Sequence, residues 1–182
     1  MAIEIEKKYR LTPETRQEVA DSLLEMGAEF QGEDLEENTI FTNADLIEKR
    51  AVVRIRKTNA RTTITFKQRT ESQSDVKHQI EFETEVKDPD SARSILEKIG
   101  LRPTLVYEKR RKTYRLRNAE VVLDELPFGL FMEIEGSVTA IAEAEMILGI
   151  EGLEAEPETY PRLTARLGAK NGDVVEARFA RS

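Results

Sequence analysis

Polar and apolar residues alternate through most of this chain with a period of two. In "AIEIEKKYRL" at 2–11, Ile3, Ile5, Tyr9 and Leu11 take one face and Glu4, Glu6, Lys8 and Arg10 the other, since strand side chains point alternately to opposite sides. The same period runs through 38–43, 51–58, 61–70, 78–86, 105–116, 120–126 and 130–136, which are rich in β-branched and aromatic residues, giving about eight predicted strands. Turns at Asn59 and Asn118 imply antiparallel pairing, and "ESQSD" at 71–75 reads as a polar loop. Thr12-Pro13 opens a predicted helix that runs to Gly27 with Val19, Leu23 and Met26 as its apolar stripe. Asp88-Pro89 opens another to Gly100 with Ile95, Leu96 and Ile99 inward. A third starts at Ser137 or Thr139 and ends near Gly149, and a short fourth follows Tyr160-Pro161 to Gly168, on the same start and stop signals. The tail from 169 packs as a final strand or frays. There is no regular β-α alternation, so the predicted class is α+β, as one domain over 1–182.

The alternation puts charge on one face of nearly every strand. Arg54 and Arg56 share a face, as do Lys67 and Arg69, Glu81, Glu83 and Glu85, Lys109 and Arg111, and Glu133 and Glu135; Asp124 shares its face with Val122. Val53 and Ile55, Ile64 and Phe66, Ile80 and Phe82, and Met132 and Ile134 fill the opposite faces. Two arrangements satisfy this pattern. In one, an open sheet leaves its charged side in water, with ion pairs across strands. In the other, the sheet closes with its apolar side outward under the helices; about eight strands then enclose room for one small ligand. A charged lumen must be paired, hydrated or bound to ions, and here the two signs balance. Basic residues dominate 51–69 and 107–111, and acids dominate the first and last strands, a segregation that suits a polyanion held together with a divalent cation.

Charged residues make up 35% of the chain and the net charge is −7, which argues against nucleic acid as a partner. There is no Cys, excluding disulfides, thiolate metal sites and a Cys nucleophile. The one His, His78, stands beside Lys77 in a polar stretch and reads as an ordinary strand residue. No apolar run approaches the roughly 20 residues of a membrane span, and no secretory signal opens the chain; the expectation is no membrane partner and a cytoplasmic location. Carboxylates at i and i+2 of a strand lie roughly 6.7 Å apart at Cα, so Glu4 with Glu6, and Glu133 with Glu135, can lean onto one ion. Mg²⁺ takes such carboxylates together with phosphate oxygens; without Cys and with a lone His, softer metals fit poorly. Arg54 and Arg56 offer planar forks to phosphate, and Lys8, Lys67 and Lys109 offer point charges. Phosphoryl transfer asks the protein mainly for positioning and neutralised charge.

These motifs closely resemble the triphosphate tunnel metalloenzymes, or CYTH superfamily. "EIEKKY" matches the family's E-x-E-x-K at Glu4, Glu6 and Lys8; "VRIRK" its paired arginines at Arg54 and Arg56; "ITFK" its strand lysine at Lys67. "IEFETEV" matches its acidic strand at Glu81 and Glu83, "YEKRRKTY" its K-x-R strand at Lys109 and Arg111, and "LDELPFGLFMEIEG" its closing signature at Asp124, Glu133 and Glu135. The resemblance spans residues 3 to about 150 and implies an eight-stranded antiparallel β-barrel, a tunnel whose basic residues grip a triphosphate and whose acidic residues hold Mg²⁺ or Mn²⁺. By it, Lys8, Arg54, Arg56, Lys67, Lys109 and Arg111 are the substrate-binding and catalytic set. Glu4, Glu6, Glu81, Glu83, Asp124, Glu133 and Glu135 are the metal set. Three activities share the frame: hydrolysis of inorganic triphosphate, hydrolysis of thiamine triphosphate and cyclisation of ATP; a non-catalytic binder of polyphosphate or nucleotide is a further alternative. A cationic thiamine ring wants aromatic surface, and this chain has no Trp. "PFG" at 127–129 departs from the Leu-Gly that precedes the Phe in some cyclase-like members. The expected activity is therefore a metal-dependent triphosphatase, with a class IV adenylyl cyclase as the alternative; a homodimer is compatible with either.

Overall fold

The computed structural model describes residues 2–70 and 77–181, and side chains at 5–70 and 78–181; the expected loop at 71–75 lies outside the described residues. The open-sheet arrangement is not adopted. β1 (Ala2–Leu11) lies between β5 (Lys77–Glu85) and β8 (Gly129–Glu135). From β8 the order runs through β7 (Ala119–Leu126), β6 (Arg102–Leu116), β2 (Glu29–Thr42), β3 (Ala51–Lys57) and β4 (Thr62–Arg69), and β4 returns to β5. The result is a mixed α+β fold with a ring of eight antiparallel strands.

The closing seam is the pairing of β2 with β6, from Glu29 opposite Arg115 to Thr42 opposite Arg102. The first half of β2, "EFQGEDLEE", is acid-rich and poor in β-branched residues, so sequence preference starts the strand only at residue 38. Charge matching makes it a strand: Glu33 faces Lys112, Asp34 faces Arg111 and Glu36 faces Lys109, and directly opposed unlike charges stabilise an antiparallel pair. Gly32, at φ 148°, takes up the register shift that follows Phe30. The tail does pack: β10 (Val174–Ala177) runs parallel to the first half of β6, with β9 (Ala169–Asn171) beside it. Arg178 then pins the end of the chain to Glu37, Glu108 and Glu176.

Helices cover the outer face. α1 (Pro13–Glu25) is capped by the Thr12 hydroxyl, and α4 (Val138–Leu148) by Ser137 at its start and left-handed Gly149 at its end. They bury Val19, Leu23, Ile141 and Ala144 against Tyr9, Val121, Leu123, Met132 and Ile134. α3 (Pro89–Lys98) closes a smaller cluster over Ile55 and Phe41. The short α2 (Ala44–Glu48), capped by Asn43, was not expected. α5 (Tyr160–Leu167), capped by Thr159, sits by one mouth of the ring.

Three residues expected on the inward faces of helices are instead in solvent, as is Phe82 of β5 at 52% exposure. Ile95 and Ile99 are 61% and 65% exposed, and Met26 is 55% exposed. α3 rests on the sheet along the line of Ala92 and Leu96, and Ile95 and Ile99 occupy the adjacent line of the helix surface. Met26 is the C-cap of α1, beyond its last packed turn. Leu23→Ala, at a site with no exposure, should cost about 2–5 kcal/mol. Ile95→Ala should stay within about 0.5 kcal/mol. Urea unfolding of the two variants measures both; equal losses would contradict this packing.

Candidate active site

Closure turns the charged faces inward, around a cavity of about 530 Å³. All six basic residues expected to bind substrate line it: Lys8 from β1, Arg54 and Arg56 from β3, Lys67 from β4, and Lys109 and Arg111 from β6. Arg50, Arg69 and Arg162 join them. Nine cationic side chains therefore face two carboxylates, Glu6 and Glu133, among the described lining residues, in a chain whose net charge is −7. Focusing of one sign of charge in a cleft is the footprint of a site for the other sign.

The cations are held by a second layer of groups. Lys8 Nζ lies 3.1 Å from Glu133, donates to the Glu158 carbonyl at 3.3 Å, and stands 3.7 Å from the centre of the Tyr160 ring. Arg111 donates twice to Asp124, at 2.8 and 2.6 Å, and once to Glu133 at 2.6 Å. Lys109 lies 3.4 Å from Glu36 and 3.5 Å from Asp124. Lys67 pairs with Glu81 at 2.7 Å. Arg54 lies 3.6 Å from Glu83 and 3.9 Å from Glu81. Among the described residues the Nε donors of Arg54 and Arg56 are buried without a hydrogen-bond partner; Arg56 Nε lies 3.5 Å from Glu36, an ion-pair contact without hydrogen-bond geometry.

The expected metal set divides. Glu6 and Glu133 are on the cavity wall. Glu81 is drawn to Lys67, and Glu83 accepts from Thr65 at 2.7 Å beside a second, smaller pocket of about 50 Å³. Asp124 has no exposure and lies behind Arg111, Lys109 and Tyr160. Glu135 is exposed, opposite Glu6 in register. The Glu4 side chain lies outside the described residues; its backbone pairs with Gln79. Among the described residues no three carboxylates or His gather closely enough to hold a metal. Mg²⁺ commonly needs only one or two carboxylates, with waters and substrate phosphates completing its shell. Glu6 and Glu133 are the wall carboxylates that could supply them, although Glu133 is also drawn to Lys8 and Arg111.

Two residues missed in the sequence complete the site. Glu36 of β2 is 3% exposed between Lys109 and Arg56. Burial alone would raise its carboxyl, but Lys109, Arg56 and Arg111 outweigh that and hold it well below the usual carboxylate range. Tyr160, the first residue of α5, donates its hydroxyl to Asp124 at 2.7 Å, and burial with the Asp124 charge pushes the phenol up. The signal for Glu36 was its charge complementarity with Lys109; Tyr160 carried none.

Burial, reinforced by Arg111, pushes the Lys109 ammonium down to about 8, against the opposing pull of Asp124 and Glu36. Lys109 is thus charged below pH 8 and loses its proton above it. Affinity for a polyanion should fall as pH rises from 7 to 9, with a limiting slope of about tenfold per pH unit above 8. Calorimetric titration of inorganic triphosphate into wild type and Lys109→Met measures this. The wild-type advantage over the variant should shrink across that interval; a constant ratio would contradict the assignment.

The same architecture recurs in solved structures. The PH1012 protein of Pyrococcus horikoshii OT3 is 26% identical, with a TM-score of 0.77 over 88% of this chain and 98% of that one. A Hippeastrum protein, HpAC1, described as an adenylyl cyclase candidate with a dominant triphosphatase activity, is 23% identical, with a TM-score of 0.66 over 91% and 95%. An adenylate cyclase candidate from Vibrio parahaemolyticus is 19% identical, with a TM-score of 0.69 over 90% and 98%. No curated protein sequence matches the chain. The family model of the CYTH domain matches residues 2–160, and the chain belongs to the CYTH domain family.

Proposed function

We propose that this protein is a divalent-metal-dependent triphosphatase that hydrolyses inorganic triphosphate or a simple organic triphosphate inside the ring. The observation that carries the reading is the cavity wall: nine cations against two carboxylates among the described lining residues. Lys8, Arg54, Arg56, Lys67, Lys109 and Arg111 take the phosphate oxygens. Opposed strands fix their positions, so little reorganisation is needed as charge develops on the transferring phosphoryl group. Arg54 and Arg56 bind through planar forks, while the Lys side chains place point charges. Glu6 and Glu133, with Glu4 from the same strand as Glu6, would hold Mg²⁺ or Mn²⁺. Such an ion supplies charge neutralisation and can activate water when bound. CYTH relatives with this fold include the Hippeastrum protein described by its triphosphatase activity, which supports hydrolysis as chemistry the frame can host. Adenylyl cyclisation is the alternative, and the neighbours described as adenylate cyclase candidates keep it in view.

Product analysis separates the two. With Mg²⁺ or Mn²⁺, the protein should release orthophosphate from triphosphate substrates; cyclic AMP with pyrophosphate from ATP would establish the cyclase instead. Arg54→Ala should lower kcat/KM about a hundredfold. The double variant Glu4→Gln/Glu6→Gln should lose metal-dependent turnover while keeping its circular dichroism spectrum. Undiminished turnover in either variant would overturn these roles.

A further inference from the structure

One uncharged side chain reaches the cationic wall from outside the strands. Tyr160, the first residue of α5, is 5% exposed. Its ring centre lies 3.7 Å from Lys8 Nζ and 5.3 Å from Lys109 Nζ, both within the roughly 6 Å over which an aromatic face attracts a cation. The ring is held from several sides. Its hydroxyl donates to Asp124 at 2.7 Å. Phe131 packs at 79° to it with centres 5.4 Å apart, and the Tyr107 ring lies 6.2 Å away. Thr159 caps the helical turn that begins with it.

Lys8 is anchored less firmly than Arg111. Its side chain is 1% exposed, with Glu133 at 3.1 Å and the Glu158 carbonyl at 3.3 Å. Arg111 makes three hydrogen bonds to carboxylates, at 2.6–2.8 Å. Glu133 is also shared, since Arg111 lies 2.6 Å from it. An aromatic face attracts an ammonium without neutralising it or accepting its proton, so the charge stays available to a phosphate oxygen. With the ring gone, the ammonium would close onto Glu133, and a phosphate would first have to break that pair. A group already in place spares the ligand this step.

We infer that Tyr160 is a positioning residue for Lys8: its ring holds the ammonium at the lumen wall, and its hydroxyl, tied to Asp124, fixes the ring. This rests on the triphosphate reading above and adds to it a group that acts on phosphate through Lys8. A ring that only fills the core would be missed equally with and without Lys8.

Calorimetric titration of inorganic triphosphate, without added metal so that no turnover intervenes, reads the coupling. The proteins are wild type, Tyr160→Phe, Tyr160→Leu, Lys8→Met and the double variant Lys8→Met/Tyr160→Leu. Tyr160→Leu should weaken binding about tenfold, within the strength of a desolvated cation–π contact. Tyr160→Phe keeps the ring and should stay within about threefold of wild type, the scale of one hydrogen bond. In the Lys8→Met background, Tyr160→Leu should change affinity by less than about twofold. Equal losses in both backgrounds, or equal losses for Phe and Leu, would overturn the inference and leave the triphosphate reading standing. The contact itself is read in the wild type by proton resonance, whether or not Tyr160→Leu folds. The ε-methylene protons of Lys8, assigned by their absence in Lys8→Met, should be shifted upfield by the ring current of Tyr160; an ordinary lysine shift would overturn the inference. Absence of triphosphate binding to wild type would overturn both.

Discussion

A carboxylate without solvent exposure sets the conditions for this fold. Asp124 takes two hydrogen bonds from Arg111 and one from Tyr160, and Lys109 lies within 3.5 Å. A charge placed there unpaired would cost several kcal/mol at least, so β6, β7 and α5 are held to one another through it. Asp124 comes from β7, its Arg and Lys partners from β6, and its phenol from α5. The same contact that makes the lumen tolerable fixes Arg111 and Lys109 at its wall. Stability and positioning are here one interaction.

Glu36 plays the corresponding part on the other side of the seam. It separates Lys109 from Arg56, and the like charges on these two would otherwise face each other undiluted. β2 contributes it through a stretch that only its pairing with β6 makes a strand. Lys8, anchored to Glu133, the Glu158 carbonyl and the Tyr160 ring, brings β1 and the start of α5 into the same network. What remains over, after the internal pairs are counted, is an excess of positive charge on the cavity wall. That excess, rather than any single residue, is the property that suits a polyanion.

Much of this was legible in the sequence because a strand's two faces are written in alternate letters. The inward set of Lys8, Arg54, Arg56, Lys67, Lys109 and Arg111 could be read residue by residue, and the capped helices at Thr12, Asp88 and Ser137 stood in the expected places. Closure was not decided by alternation, since an open sheet satisfies the same pattern; the seam depends on pairing between residues 60 or more positions apart. Glu36 was hidden because its segment looks like an acidic loop until Lys109 lies opposite it. Tyr160 was hidden because a single aromatic at a helix start has no period to betray it. Ile95 and Ile99 misled because helical spacing names a stripe without saying how wide a surface will meet it. Of the acidic positions, the sequence could not distinguish Glu6 and Glu133, on the wall, from Asp124, which has no solvent exposure.

In the function proposed here, the lumen binds a triphosphate with its cations and a divalent metal with its wall carboxylates. A diffraction structure of the protein grown with inorganic triphosphate and Mn²⁺ tests it most directly, because anomalous scattering locates the metal independently of the phosphates. Phosphate density is expected among Lys8, Arg54, Arg56, Lys67 and Arg111, with a manganese peak beside Glu6 and Glu133. Phosphate and manganese confined to the outer surface, with the lumen pairs unchanged, would contradict it.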